Sequence, residues 1–279
     1  MTLHDLKLLC PSYLMLNHGQ VCERCKGHRF YQAVLTKCHK DSSIASAIYA
    51  AESYFSHTFK KYDAVRLFIA PSRFLLNKHR EFGFAAERFV PIPNPVDVES
   101  IAPRREAGRH LLYFGRISHE KGVRTLIRAY GNLTSTMPLY IAGDGPGREE
   151  LEELAAQQAK YDRIRFTGYL SADPLARAID AAAAVIVPSE CYENAPMAVL
   201  ESFSRGKPVI GARIGGIPEM IDDGVNGYLF EPGNEADLQN KLETLLSLPT
   251  GRIEKMGREA RSKVERAYSS RSHIAVLME

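Results

Sequence analysis

From His110 onward, short apolar runs alternate with stretches whose apolar residues recur at helical spacing. "HLLYFG" (110–115) is a continuous apolar run ending at a glycine, and the stretch after it places Val123, Leu126, Ile127 and Tyr130 at i, i+3, i+4 and i+7. That pattern predicts strand, turn and amphipathic helix. The unit then repeats. "PLYIAGDGPG" ends a second predicted strand in a glycine-rich turn, before a helix through Leu151, Leu154 and Ala155. "IRFTGYL" predicts a third strand, and the next helix is expected to open at Asp173-Pro174, an N-cap followed by proline at the first helical position. "AAVIVPS" predicts the fourth strand. Its helix lies in "ENAPMAVLESFSRG", where Asn194 is the expected cap, Pro196 suits the first turn and Gly206 stops the helix before Pro208. "KPVIGA" and "NGYLF" complete six strands. Strands that are apolar throughout and separated by helices predict a parallel sheet covered on both faces. The expected fold class is α/β, a doubly wound Rossmann-like domain.

Upstream the pattern changes. "FVPIPNPVDVESIAPRREAGR" carries Pro91, Pro93, Pro95 and Pro103 among charged residues, which predicts an extended linker in place of a regular element. It divides an aromatic-, cysteine- and histidine-rich segment, residues 1–95, from the repeating one, residues 96–270.

Composition narrows the function classes. With 45% hydrophobic and 25% charged residues in 279, the chain reads as an ordinary globular protein with a sizeable core. A net charge of +3 is too small to point to nucleic acid as a partner. No apolar run approaches the ~18 residues of a membrane span, and His4, Asp5 and Lys7 stand where a signal peptide would be apolar. The cytoplasm is the default location.

In a sheet of this kind, ligands bind beyond the carboxyl ends of the strands. The loops there are "GRISHEKG", "GDGPG", "ECYENAP" and "GARIGGIPE". Arg116 and Lys121 could converge on one anionic group, the arginine gripping phosphate oxygens as a fork and the lysine adding a point charge. Glu193, before the helix, and Glu201, nearly two turns inside it, each offer two acceptor oxygens to vicinal hydroxyls. Free amides at the helix start favour a negatively charged ligand. A ligand with both phosphates and hydroxyls matches this set. A dinucleotide-binding oxidoreductase rests only on "GDGPG", in which Arg148 occupies the place of the third glycine. No Gly-Lys-Ser/Thr supports a phosphate-binding-loop ATPase.

The Glu-x7-Glu pattern in "PSECYENAPMAVLESFSRGKPVI", with "GRISHEKGVRTLIRAY", "IAGDGPGREEL" and "FTGYL" before it and "GGIPEMIDDGVNGYLFEPGN" after it, resembles the family 4 retaining glycosyltransferases of GT-B fold. These pair two Rossmann-like domains and move a hexose from a nucleotide-sugar to an acceptor hydroxyl. The resemblance implies that Glu193 holds donor-sugar hydroxyls and Glu201 the ribose hydroxyls. It implies that Arg116 and Lys121 bind and stabilise the departing diphosphate, that Gly168, Tyr169 and Leu170 lie near the base, and that Asn194 and Ala195 approach the sugar or phosphate. With no Asp-x-Asp sequence, no metal is expected for catalysis. "MTLHDLKLLCP" resembles a late strand of the acceptor-side domain, with His4 at its end facing the donor sugar. Residues 1–95 would then be a partial acceptor-side domain with a cysteine-rich insertion, and residues 271–279 would resemble the family's closing helix. The implied partners are a nucleoside-diphosphate sugar and a carbohydrate or lipid-linked acceptor, the latter with peripheral association at the inner face of a membrane. A nucleotide-sugar-binding module without transfer chemistry is the alternative.

Cys10, Cys22, Cys25 and Cys38 fall in one short segment around a Cys-x2-Cys pair. They could hold a structural zinc tetrahedrally, with His18, His28 or His39 as replacement ligands, or remain reduced thiols.

Overall fold

The computed structural model describes residues 1–103, 108–158 and 160–278, so residues 104–107 of the expected linker and Glu279 of the expected closing helix lie outside the described residues. The chain divides into two compact units, Met1–Pro93 with Cys191–Ala195, and Asn94–Glu190 with Pro196–Glu279.

The first unit contains a small antiparallel pair, β1 (Leu16–Asn17) and β2 (Gln20–Val21), the helices α1 (Tyr31–Leu35), α2 (Ser43–Thr58) and α3 (Arg73–Glu81), and the parallel strands β3 (Phe68–Ala70) and β4 (Phe89–Pro91). Residues 1–3 run parallel to β3, with Leu3 N–H donating to Ile69 O at 2.9 Å. Ser42 and Ser72 cap α2 and α3, accepting from the amides of Ala45 and Leu75. The core of this unit gathers Leu3, Leu9, Met15, Phe68, Leu75 and Phe89. β4 corrects the linker expectation, since its first residues pair with β3. Pro91 terminates that strand, where a missing N–H costs least.

The second unit is built on strands β5 (His110–Phe114), β6 (Leu139–Ala142), β7 (Ile164–Gly168), β8 (Ala182–Val187), β9 (Val209–Ala212) and β10 (Gly227–Phe230). Among the described residues they form one parallel sheet in the order β10-β9-β8-β5-β6-β7. The chain therefore winds outward from β5 to β7, then crosses to the other side of β5 and winds outward again. The reversal lies between β5 and β8. Helices α4 (Val123–Gly131), α5 (Arg148–Ala156), α6 (Ala172–Asp180), α7 (Met197–Ser204), α8 (Ile217–Met220), α9 (Glu235–Leu246), α10 (Thr250–Ala267) and α11 (Ser270–Met278) follow in order. Successive strand residues face opposite sides. Leu111 and Tyr113 enter a core with Leu126, Ile127 and Leu242, while Leu112 enters one with Val185, Leu200 and Phe203. This is why the strands read as apolar throughout.

Helix ends depart from the sequence reading in two places. α6 starts at Ala172 with Ser171 at the N-cap, so Asp173 and Pro174 both lie in the first turn. Proline is tolerated there because the first amides of a helix have no intrahelical acceptor. α7 starts at Met197 with Pro196 at the N-cap, and Asn194 does not cap it. The other end is as read. Gly206 has φ +69°, its N–H donates to Phe203 O at 2.9 Å, and Lys207 N–H donates to Ser202 O at 3.0 Å. These are the two bonds of a glycine-terminated helix.

The stretch after Asn94 is pinned. Val96 N–H donates to Tyr268 O at 2.8 Å. Arg261 donates to Val98 O and Ile101 O, both at 2.8 Å, and also to Ser204 O. One guanidinium thus satisfies carbonyls from two separate segments. Arg261→Ala is expected to cost roughly 2–4 kcal/mol in urea unfolding, since those carbonyls lose a charged donor. Limited proteolysis of the variant should cut first between Val98 and Pro103, and Arg261→Lys, which lacks the fork, should restore only part of the loss.

Candidate functional site

The loops beyond the carboxyl ends of β5, β6 and β7 are joined backbone to backbone. Gly115 N–H donates to Ala142 O at 3.0 Å, Ile117 N–H to Asp144 O at 2.9 Å, and Gly143 N–H to Gly168 O at 2.8 Å. This approach leaves no room for side chains. A Cβ on Gly143 would stand 1.9 Å from Gly115 O, and one on Gly145 2.2 Å from Ile117 O. Arg116 is carried on this platform, exposed, with its own carbonyl accepting from the buried Tyr113 hydroxyl at 2.6 Å. No carboxylate among the described residues forms an ion pair with Arg116. Beside the platform a cavity of about 220 Å³ opens among Ser118, His119, Arg124, Pro146, Gly147 and Glu150.

Lys121 ends a 3-10 turn, His119–Lys121, just before α4. Gly122 then takes φ +66° where a Cβ would lie 1.8 Å from Pro188 O, so the strand-end loop of β8 passes directly against it. Glu190, to which the sequence reading gave no role, secures this junction. Its N–H donates to Glu120 O at 2.8 Å and its carboxylate accepts from Thr125 Oγ1 at 2.5 Å. The signal available in the sequence was an acid just past an apolar run; the reversal of strand order at that point is a feature of the fold.

Glu201 lies on α7, half-buried. Burial pushes its carboxyl pKa upward, against the opposing pull of Arg205, which is itself paired with Asp180 at 3.0 Å. At the end of β7, Gly168 takes φ +73°, Tyr169 is 80% exposed and Leu170 packs on the sheet core. Arg116, Lys121, Gly168, Tyr169, Leu170 and Glu201 thus belong to the second unit.

Glu193, Asn194 and Ala195 belong to the first unit, half-buried. Asn194, freed from the capping role expected of it, accepts from Ser72 Oγ at 2.7 Å and donates to Leu3 O at 3.3 Å. Tyr192 donates to Glu23 at 2.7 Å, on the same carboxylate oxygen that takes Lys78 Nζ at 2.7 Å. Burial pushes the Tyr192 hydroxyl up to about 12. For Glu23 burial acts upward too, but the bonds from Lys78 and Tyr192 prevail and hold it below its ordinary value. His4, also in this unit, is exposed directly after the residues paired with β3.

The thiols of Cys10, Cys22, Cys25 and Cys38 lie close enough to act on one another electrostatically. Cys10 sits in the core with Leu9 and Met15, whereas Cys25 and Cys38 pack with Phe30 and Ala33. All are free thiols, and no three His, Cys, Asp or Glu residues among those described are arranged to hold a metal ion. Cys10 and Cys25 share a hydrogen bond that pulls the Cys10 thiol down and, with burial, pushes Cys25 up. A cavity of about 340 Å³ opens at the amino ends of the strands among Met137, Ala182, Lys207, Pro208, Ile253 and Arg258, away from all of these loops.

Comparison with known proteins agrees with this geometry. The chain is 33% identical over 162 residues to an alpha-D-kanosaminyltransferase of Streptomyces kanamyceticus, covering 57% of this chain and 42% of that protein. It is 37% identical over 159 residues to the sulfoquinovosyl transferase SQD2 of Arabidopsis thaliana, covering 56% and 30%. The chain therefore matches less than half the length of either relative. Among solved structures, Anabaena Alr3699/HepE in complex with UDP superposes with a TM-score of 0.69 at 23% identity, over 76% of this chain and 62% of that one, which places the fold among the GT-B glycosyltransferases. The family model "Glycosyl transferases group 1" matches residues 99–263, more than half of the chain and nearly the whole sheet unit with its glycine platform, and the chain belongs to that family.

Proposed function

We propose that this chain takes part in retaining hexosyl transfer, as in the family 4 glycosyltransferases, from a nucleoside-diphosphate sugar to a hydroxyl of a carbohydrate or lipid-linked acceptor. The observation that carries the proposal is the exposed Arg116 on a glycine platform beyond a parallel sheet, next to the turn that bears Lys121, in a family member. A diphosphate needs donors and positive charge without a wall of side chains, and that is what strand-end glycines and an arginine supply. UDP in the Anabaena structure supports a nucleotide as the donor's handle.

The roles are those that the family resemblance implies. Arg116 and Lys121 bind the diphosphate and stabilise its charge as the glycosidic bond breaks, which lowers the barrier electrostatically and requires no proton transfer from either cation. Glu201 accepts from the ribose hydroxyls, and Glu193 accepts from donor-sugar hydroxyls. Gly168, Tyr169 and Leu170 border the base, and the backbone at Asn194 and Ala195 approaches the sugar or phosphate. His4 orients the sugar and is not assigned as a base. Because the matched region is 42% and 30% of the two relatives' lengths, a second reading is a nucleotide-sugar-binding unit without transfer of its own. Hexosyl transfer to an acceptor, assayed with release of nucleoside diphosphate, separates the two readings.

Calorimetry with UDP, GDP and ADP tests the donor site. One nucleotide should bind preferentially, and Arg116→Ala and Glu201→Ala should each weaken it about 10–100-fold, the equivalent of one lost charge-assisted bond. Equal affinity in wild type and both variants would remove these residues from the site.

Acid should weaken binding through Glu201. Ribose hydroxyls need its ionised form, and burial raises its pKa, so affinity should begin to fall at a higher pH than for an ordinary glutamate. The linked stability runs the other way. A carboxyl with a raised folded pKa stabilises the fold fully below its unfolded pKa and loses that contribution as pH rises through the folded value. Glu201→Gln should flatten the acid limb of the affinity profile while unfolding stability at neutral pH stays equal or rises.

A further inference from the structure

Four of the five cysteines gather in a stretch of the first unit that has little else to hold it. Among the described residues, seven of the eight non-glycine residues with positive φ lie from Tyr13 to Asp41. Side-chain-bearing residues keep that conformation only where the surrounding structure imposes it. Regular structure here amounts to the two-residue strands β1 and β2 and the five-residue α1, and the apolar cluster behind them holds four buried residues, Cys25, Phe30, Ala33 and Ala50. A segment so poor in core needs a further clamp, which small folds find in a disulfide or a metal.

The thiols supply the means. Cys10 and Cys25 share a hydrogen bond, and the Ser12 hydroxyl, 3.2 Å from Cys10 Sγ, also bonds Cys38. Cys22 lies close enough to act on both Cys25 and Cys38. Two sulfurs in hydrogen-bond contact already stand near the ~3.8 Å that separates the ligands of a tetrahedral zinc with Zn–S bonds of ~2.3 Å. The Cys10 sulfur also takes the amides of Ser12 and Met15. Donors converging on one sulfur favour the thiolate, the form that binds metal. Charge agrees with this. A zinc with four thiolates carries a net charge of about −2, and residues 10–42 set Arg24, Lys26, Arg29, Lys37 and Lys40 against only Glu23 and Asp41. No three of the sulfurs are disposed about a common centre as they stand. All four ride on turns or irregular chain, so closing on an ion calls for side-chain rotation and unmakes no helix or strand. A disulfide between Cys10 and Cys25 would leave Cys22 and Cys38 unused, and both members of that pair are buried from an oxidant.

We infer that Cys10, Cys22, Cys25 and Cys38 are the ligands of one structural zinc ion, bound as four thiolates whose protons pass to solvent. Four sulfurs leave no open position for water or substrate, so the ion is a clamp. Its reach extends beyond the cysteines. Glu23 stands between Cys22 and Cys25 and accepts from both Lys78 and Tyr192, so the ion also fixes the anchor of the Cys191–Ala195 piece. This inference rests on the thiols and is independent of the donor-site reading.

Metal analysis of the whole chain, purified under reducing conditions without chelator, tests it. About one zinc per chain is expected, and replacement by cobalt should give the intense visible bands of a tetrahedral thiolate site. Cys25→Ser should lower zinc affinity at least about tenfold. Cys191→Ser, at the buried thiol outside the set, should leave it unchanged. Cys22→His should keep the metal and shift the cobalt bands, because an imidazole nitrogen replaces a sulfur, and this readout stands even where Cys25→Ser fails to fold. Chelation should lower the melting temperature, and added zinc should restore it. Reduced wild type that takes up neither zinc nor cobalt would overturn the inference, as would cobalt bands that Cys22→His does not move. So would a Cys10–Cys25 disulfide found by peptide mapping in chain isolated without air.

Discussion

The carboxyl end of the sheet depends on backbone meeting backbone. Past β5 and β6 the ladder does not stop at the last strand residue, because Gly115 continues it to Ala142 and Gly143 to Gly168, at the end of β7, through bonds of 2.8–3.0 Å. A methyl group at Gly143 would occupy the space of a carbonyl oxygen. Everything placed at that end inherits this rigidity. Arg116 stands on the platform, Lys121 ends the turn that leaves it, and Gly122 lets the loop after β8 come in contact with that turn, where Glu190 holds it to Thr125. Rigid supports hold a binding group in place better than mobile loops do.

Much of the sheet unit was legible because burial on both faces leaves a simple trace. Leu111 and Leu112 point to opposite cores and both must be apolar, so β5 appears as an unbroken run, as do β8 and β9. Gly206 was legible because only a left-handed residue ends α7 in that manner. The caps were less so. Asn194 is a good capping residue by type, but the bonds from Ser72 and to Leu3 take its side chain elsewhere, and no local pattern encodes partners more than a hundred residues away. Glu190 escaped for a similar reason, since its meaning comes from the reversal of strand order. The grouping of the candidate residues, with Glu193 to Ala195 in one unit and Glu201 in the other, is likewise a property of contacts and not of spacing.

The first unit was harder to read because α2 contradicts the usual rule. Sequence periodicity shows where apolar residues align, and the ordinary inference is that the aligned face is inside. Here Ser46, Ser53 and Ser56 are inside, Ser53 Oγ donating back to Tyr49 O at 2.9 Å, and the isoleucines and phenylalanines are outside. The cysteines illustrate a related limit. Their spacing was compatible with a shared metal, but spacing does not show that Cys10 and Cys25 line different apolar clusters while their thiols share a hydrogen bond.

The first unit is discontinuous in sequence, with its last piece, Cys191–Ala195, arriving from the middle of the second. During synthesis, residues 1–93 are complete while Tyr192, which donates to Glu23, has yet to be made. At roughly 5–20 residues per second, the interval is on the order of 5–20 s. Throughout it Glu23 has Lys78 but lacks the tyrosine hydroxyl, and the Ser72 hydroxyl donor and the Leu3 carbonyl acceptor wait for Asn194. The nascent chain therefore holds an incomplete first unit until the fourth strand of the sheet, β8, has been translated, and the order of assembly is set by the ribosome as well as by the stability of the parts.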